Sequence, residues 1–251
     1  MVRVTTPWAR PDKPVELVFQ ERVFLLLAAV FISSLVTSNL IFQKFFSWTV
    51  FNPFDWSTWD YTFRLSVGIL PYPVTFLVTD IISEIYGKRR ADQIVVSGFI
   101  ASLFMIAIIL VAQAAPATSW SPVSSAEFTK VFGLTPGAVF ASMTAYLTAQ
   151  FIDIRLFHFW KRLTRGRHLW LRNNGSTVVS QLVDTSLVLA LLCLTGTIPW
   201  SLFGGLLVNG FLFKVLVALA DTPVFYLVAR ILRKRMGLGL GEEIAAQQSL
   251  A

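Results

Sequence analysis

Seven ionisable side chains sit in stretches otherwise built from apolar residues, and their spacing gives several of them shared helix faces. In "TDIISEIYG" Asp80 and Glu84 are four apart, and in "QFID" Gln150 and Asp153 are three apart. In "QLVDT" Gln181, Asp184 and Thr185 fall on one face, and Lys214 is followed two turns later by Asp221 on the same side. Arg155, two residues beyond Asp153, points roughly the opposite way. Carboxylates accept N–H donors in pairs, amides both donate and accept, and an ammonium donates to carbonyls. Such a set suits the recognition of a small polar ligand or the passage of an ion.

The elements that must carry these groups are membrane spans. Of 251 residues, 55% are hydrophobic and only 14% charged, against roughly a quarter charged in soluble chains, and mean hydropathy is +0.66. Divided into apolar runs of about 20 residues, the chain reads as one all-α polytopic membrane domain, 1–251, with six spans. They fall near Val23–Phe46, Val67–Tyr86, Ala91–Gln113, Gly137–Phe159, Asn174–Thr197 and Gly204–Ile231. Residues 1–15 and 236–251 read as mobile tails. The first apolar run is longer than a signal peptide's core and lacks a small-residue cleavage site, so it is expected to be retained.

At about 1.5 Å per residue, Asp80 lies about 13 Å inward from Pro71, Asp184 about 15 Å from Asn174, and Lys214 about 15 Å from the outer end of its span. Asn39 is nearer the outer side. A charge at a helix centre costs at least about 2.5–3.5 kcal/mol even on the lenient insertion scale. Five acids (Asp80, Glu84, Asp153, Asp184, Asp221) and two bases (Arg155, Lys214) must therefore face one another or a wet cavity. Ion pairs that only clamp helices together are the alternative, and Glu84 and Arg155 are close enough to a membrane face to snorkel. Pro223 frees the Leu219 carbonyl close to Asp221, which suits a cavity wall. Three spans plus three of opposite topology, each half with a central Asp, would fit an inverted repeat.

Net charge +7 is explained by topology. Sixteen Lys and Arg fall in the N-terminal tail, the second and fourth connections and the C-terminal tail, against three (Lys44, Arg64, Lys130) in the other connections. By the positive-inside rule both termini are cytoplasmic, and nucleic acid is not a partner. A single Cys and two His without ligand-spaced companions argue against disulfide, metal and cofactor; His158 and His168 read as interfacial. The Ser nucleophile elbow and the HExxH motif are missing, and no aspartate sits in a Gly-flanked run of the intramembrane-protease kind. The chain does not read as an enzyme. Between the first two spans, Trp59, Tyr61, Phe63 and Leu65 alternate with Asp60, Thr62, Arg64 and Ser66, the period of a strand. With "NPFD" (52–55) as turn, this predicts a short outer β-hairpin.

Five stretches, "TSNLIF" (37–42), "PYPVTFLVTDIISEIYGKRRA" (71–91), "AYLTAQFIDIRLFHFWKR" (145–162), "WLRNNGSTVVSQLVDT" (170–185) and "FLFKVLVALADTPVFYLV" (211–228), together resemble the bacterial queuosine precursor transporters of the vitamin uptake transporter family. The resemblance implies a six-helix inner-membrane carrier that imports 7-deazaguanine bases, in cyano or aminomethyl form, for salvage into tRNA modification. It places Asn39, Asp80, Gln150, Asp153, Asp184, Thr185 and Lys214 at the substrate, with Gln181 completing orientation and Phe76 or Tyr146 stacking on the ring. Glu84, Arg155 and Asp221 are left to a proton or ion-pair role. The partners implied are a small nucleobase and membrane lipid, with a homodimer as a further expectation. The competing function is the substrate-capture subunit of an energy-coupling-factor vitamin importer.

Overall fold

The computed structural model describes residues 14–42, 44–50, 61–133, 136–165, 168–194, 196, 198–239 and 242–244. Seven helices are present among them: α1 (Pro14–Ile41), α2 (Tyr72–Ile85), α3 (Lys88–Ala114), α4 (Ser125–Phe132), α5 (Pro136–Leu163), α6 (Leu169–Leu194) and α7 (Phe203–Arg235). One antiparallel pair of strands, β1 (Phe45–Val50) and β2 (Tyr61–Ser66), lies between α1 and α2. Among the described residues, five helical stretches are long and apolar enough to cross a membrane: Leu17–Ile41, Val67–Ile85, Lys88–Ala114, Leu169–Leu194 and Trp200–Arg235. This is a mostly helical, multi-pass membrane protein.

α2 is the hub. It packs against α1, α3, α5 and α7, and ten of its fourteen residues are buried. Pro71 and Pro73 set its start, where the missing N–H groups cost nothing. Its end is fixed by Gly87, whose φ of 84° suits glycine and whose N–H returns to the Ile82 carbonyl at 3.1 Å. Being surrounded by helices, α2 can carry Asp80 and Glu84 without showing either to lipid. Apolar residues of α1, α2, α3, α5 and α7 form one core, among them Phe31, Leu35, Ile82, Ile85, Val95, Ile154, Phe157 and Phe225. α1 and α3 approach closely at Gly98, where a Cβ would lie 2.6 Å from Phe31 and 2.9 Å from Leu35.

The hairpin is present, in the register Trp48↔Phe63 and Thr49↔Thr62. Phe63 and Leu65 are buried and Thr62 is exposed, as the alternation required; Asn52–Asp55, Trp59 and Asp60 lie outside the described residues. Trp48, Phe63 and Phe213 make mutual ring contacts at 5.8–6.3 Å. The hairpin thereby braces α7 at the residue before Lys214. Phe45 and Phe46, expected in the first span, belong to β1, because Ser66 Oγ takes over the Phe42 carbonyl and the Val67 N–H bonds Lys44 O at 2.7 Å.

α4 was not expected. It is an eight-residue helix in the connection between α3 and α5, started by a capping box in which Ser124 and Glu127 satisfy each other's backbone N–H groups. The Ser124 N–H and hydroxyl both donate to Glu127 Oε2, at 2.9 and 2.7 Å, and hold that carboxyl below its usual range. Pro14 and Val15, read as tail, begin α1. Past α7, where a loose tail was expected from residue 236, Met236, Leu238 and Ile244 are buried in the main core, so the chain folds back beneath the bundle.

Candidate functional site

Two polar clusters lie inside the bundle, both touching α2. The first surrounds a cavity between α2, α6 and α7, lined by Tyr72, Phe76, Asp80, Gln181, Lys214 and Asp221, with Asn173 and Thr177 completing the α6 wall. The helical spacing of Asn173, Thr177, Gln181, Asp184 and Thr185 makes a continuous polar stripe down α6, and all five are buried. Lys214 Nζ donates to Asp184 Oδ2 at 2.5 Å, with only 11% and 7% of the two side chains exposed. The same ammonium lies 4.6 Å from the centre of the Tyr72 ring, a favourable site for a cation. Gln181 Oε1 and Asn173 Oδ1 are buried with no hydrogen-bond partner among the described residues. Such acceptors are costly unless a ligand or water reaches them.

Behind this cavity, Asp80 and Asp153 lie within hydrogen-bonding reach of each other. Ser180 Oγ donates to Asp153 Oδ1 at 2.8 Å and Thr177 Oγ1 to Asp80 Oδ2 at 3.5 Å. Gln150 is fully buried and accepts from Thr79 Oγ1 at 3.3 Å. The cavity holds about 30 Å³, room for a water or two. A ligand larger than that does not fit the cavity in this conformation.

The second cluster, nearer the ends of α5 and α7, is centred on Glu84, which is fully buried. Arg172 Nη2 donates to Glu84 Oε1 at 2.5 Å and Arg233 Nη1 approaches the same oxygen at 3.2 Å. Lys161 Nζ lies 3.5 Å from Oε2 and donates to the Glu84 carbonyl at 3.2 Å. The folded-back segment adds Glu243, 2.9 Å from Lys161 and 3.6 Å from His158 Nδ1. One carboxylate thus ties α2 to α5, α6 and α7.

The expected residues are distributed as follows. Asp80, Gln181, Lys214 and Asp221 share the cavity, and Asp184 joins it through Lys214. Thr185 is buried one step beyond, its hydroxyl bonded to the Gln181 carbonyl at 2.8 Å. Gln150 and Asp153 form the layer behind. Asn39 lies apart, its amide 3.5 Å from Ser102 and 3.9 Å from the Met143 sulfur, and is not among the cavity residues. Arg155 is exposed, on the face opposite Asp153. Phe76 reaches the cavity, whereas Tyr146 is buried beneath Tyr72. His158, expected at the interface, is only 8% exposed, drawn in by Glu243; His168 is exposed.

The sequence model of a family described as "Putative vitamin uptake transporter" matches residues 66–228. The chain belongs to this vitamin uptake transporter family. A curated relative, the "Probable queuosine precursor transporter" of Bacillus subtilis (strain 168), is 29% identical over 168 residues, covering 66% of this chain and 72% of that protein. No solved structure matches significantly. The segment shared with the vitamin uptake transporters runs from the end of β2 to the last third of α7. It contains the whole cavity lining and Arg172, but not Asn39, Arg233 or Glu243.

Unforeseen were Tyr72, Asn173, Thr177, Ser180 and the basic shell of Glu84. Asn173 and Thr177 had a legible signal, since they extend the Gln181–Asp184 face by two turns. Lys161, Arg172 and Arg233 carried none, because basic residues at span ends are what topology alone supplies.

Proposed function

We propose that this transporter imports 7-deazaguanine precursors of queuosine, in the cyano or aminomethyl form, across the bacterial inner membrane with both termini in the cytoplasm. The name of the Bacillus subtilis relative supports the substrate class. The observation that carries the reading is the buried Asp184–Lys214 pair beside an aromatic wall of Tyr72 and Phe76. A guanine-like ring offers adjacent N–H donors at N1 and the 2-amino group, which one carboxylate accepts together, and a carbonyl at O6 that an ammonium can donate to. Asp184 takes the donor edge and Lys214 the carbonyl, each leaving the other to bind the base. Gln181, Asn173 and Asp80 complete the polar contacts, Phe76 stacks on the ring, and Asp153, Gln150 and Thr185 hold that layer in place.

In this reading α1, α2, α3, α5, α6 and α7 are six spans, three plus three, with α2 and α6 as the two central Asp-bearing members. Access alternates when α7, softened at Pro223, swings against α2. The test is to express the protein in cells that neither make nor import the precursors and lack energy-coupling-factor machinery, feed each base, and measure queuosine in tRNA. Rescue by this chain alone supports a self-sufficient carrier. No rescue by either base removes the substrate assignment, and rescue only on adding coupling subunits makes the chain a capture subunit instead.

A further inference from the structure

Two buried acids are left over when the ion pairs are drawn. Asp184 has Lys214, and Glu84 has Arg172, Arg233 and Lys161. Asp80 on α2 and Asp153 on α5 are 2% and 0% exposed. Among the described residues no Lys, Arg or His comes within ion-pair distance of either. The described groups that face them are neutral, acidic, or a base already paired elsewhere. α6 contributes the hydroxyls of Ser176, Thr177 and Ser180, and α5 contributes Gln150. α2 itself adds Glu84 one turn on, and α7 presents Asp221 and the already paired Lys214 across the cavity.

The hydroxyl donors leave one oxygen on each carboxyl, Asp80 Oδ1 and Asp153 Oδ2, with no donor, while the two groups lie within hydrogen-bonding reach of each other. Two like charges in contact, screened from water and without a cation, do not both persist. One proton held between the groups removes a charge and supplies the missing donor.

We propose that Asp80 and Asp153 form a proton-binding site, and that its proton crosses the membrane together with the substrate. The coupling, though not the proton site, rests on the nucleobase reading above. Asp80 faces the cavity and Asp153 stands behind it. With the proton on Asp153, its O–H donates to Asp80, which stays ionised and accepts N–H donors from the cavity side. When the inner end opens and water can solvate two carboxylates, the Asp153 O–H bond breaks and the proton passes to water. The ligand then faces an unneutralised acid pair and leaves. Each ligand raises the affinity for the other, as linkage requires.

Infrared spectra of the purified protein at neutral pH test the site without any substrate. A protonated-carboxyl C=O band is expected in the wild type and is expected to be lost in both Asp80→Asn and Asp153→Asn; a band unchanged in both variants overturns the proposal. Proteoliposomes given radiolabelled 7-cyano-7-deazaguanine, which is neutral, test the coupling. Wild-type protein is expected to accumulate the base when the outside is acid, to stop when a protonophore is added, and to admit protons only when base is present. Asp153→Asn, whose amide N–H replaces the O–H toward Asp80, is expected to lose accumulation and its pH dependence, and accumulation like that of the wild type in Asp153→Asn overturns the coupling. Accumulation indifferent to the protonophore overturns the coupling. If wild-type vesicles take up no base under any gradient, the substrate reading has failed, and the infrared result still decides the proton site.

Discussion

A fully buried glutamate held by three cations separates two uses of charge in a membrane, holding helices together and holding a ligand. Glu84 with Arg172, Arg233 and Lys161 is the first kind, since the cluster draws on four helices and lies outside the cavity lining. Removing the shared carboxylate leaves the fully buried Arg172 uncompensated, at about 3–5 kcal/mol. Glu84→Gln is therefore expected to lower the detergent melting temperature sharply, and adding Arg172→Met to recover part of the loss. Equal melting of the single and double variants would show that the cost does not come from an unpaired Arg172. The sequence made Glu84 visible as an acid in an apolar run, but not its partners, because a basic residue near a span end has the same appearance whether it faces water or a buried carboxylate. Asp184 and Lys214 were legible because nothing but a partner or a ligand excuses a charge at that depth.

Apolar run length located the long helices and alternation located β2, while the ends of elements depended on contacts no local pattern encodes. The first span was expected to run to Phe46, yet α1 stops at Ile41 because Ser66, Val67 and Gly68 take up the groups at its end: Ser66 Oγ bonds the Phe42 carbonyl, and Ser38 Oγ bonds Gly68 O. The return of Met236, Leu238 and Ile244 to the core is likewise a tertiary choice, made by a few apolar residues in a short glycine-rich stretch. The α1–α3 contact offers a test at this scale. Gly98→Leu would place side-chain atoms where Phe31 and Leu35 already lie, and overpacking of this kind costs about 1–3 kcal/mol. A several-degree fall in melting temperature is expected, with Phe31→Ala in the same chain restoring part of it; no fall would mean that α1 is free to move away from α3.

For the molecule as a whole, the distribution of basic residues carries the orientation. By the positive-inside rule, sixteen on one side against three on the other predict the α3–α5 connection outside and the end of α7 inside. A single cysteine introduced at Pro122, in a chain whose own Cys193 is replaced by Ala, is expected to react with an impermeant thiol reagent added to intact cells, and one at Gly239 to react only after lysis. The reverse pattern would invert the topology and the direction assigned to transport. The central claim is that the base binds at the Asp184–Lys214 pair, and the most direct measurement is uptake of labelled 7-deazaguanine base by wild type and Asp184→Asn at matched membrane expression. Asp184→Asn keeps the side-chain volume while losing the charge and the paired acceptor, so a folded, inserted protein with uptake reduced at least tenfold is predicted. Wild-type uptake by Asp184→Asn would contradict the account.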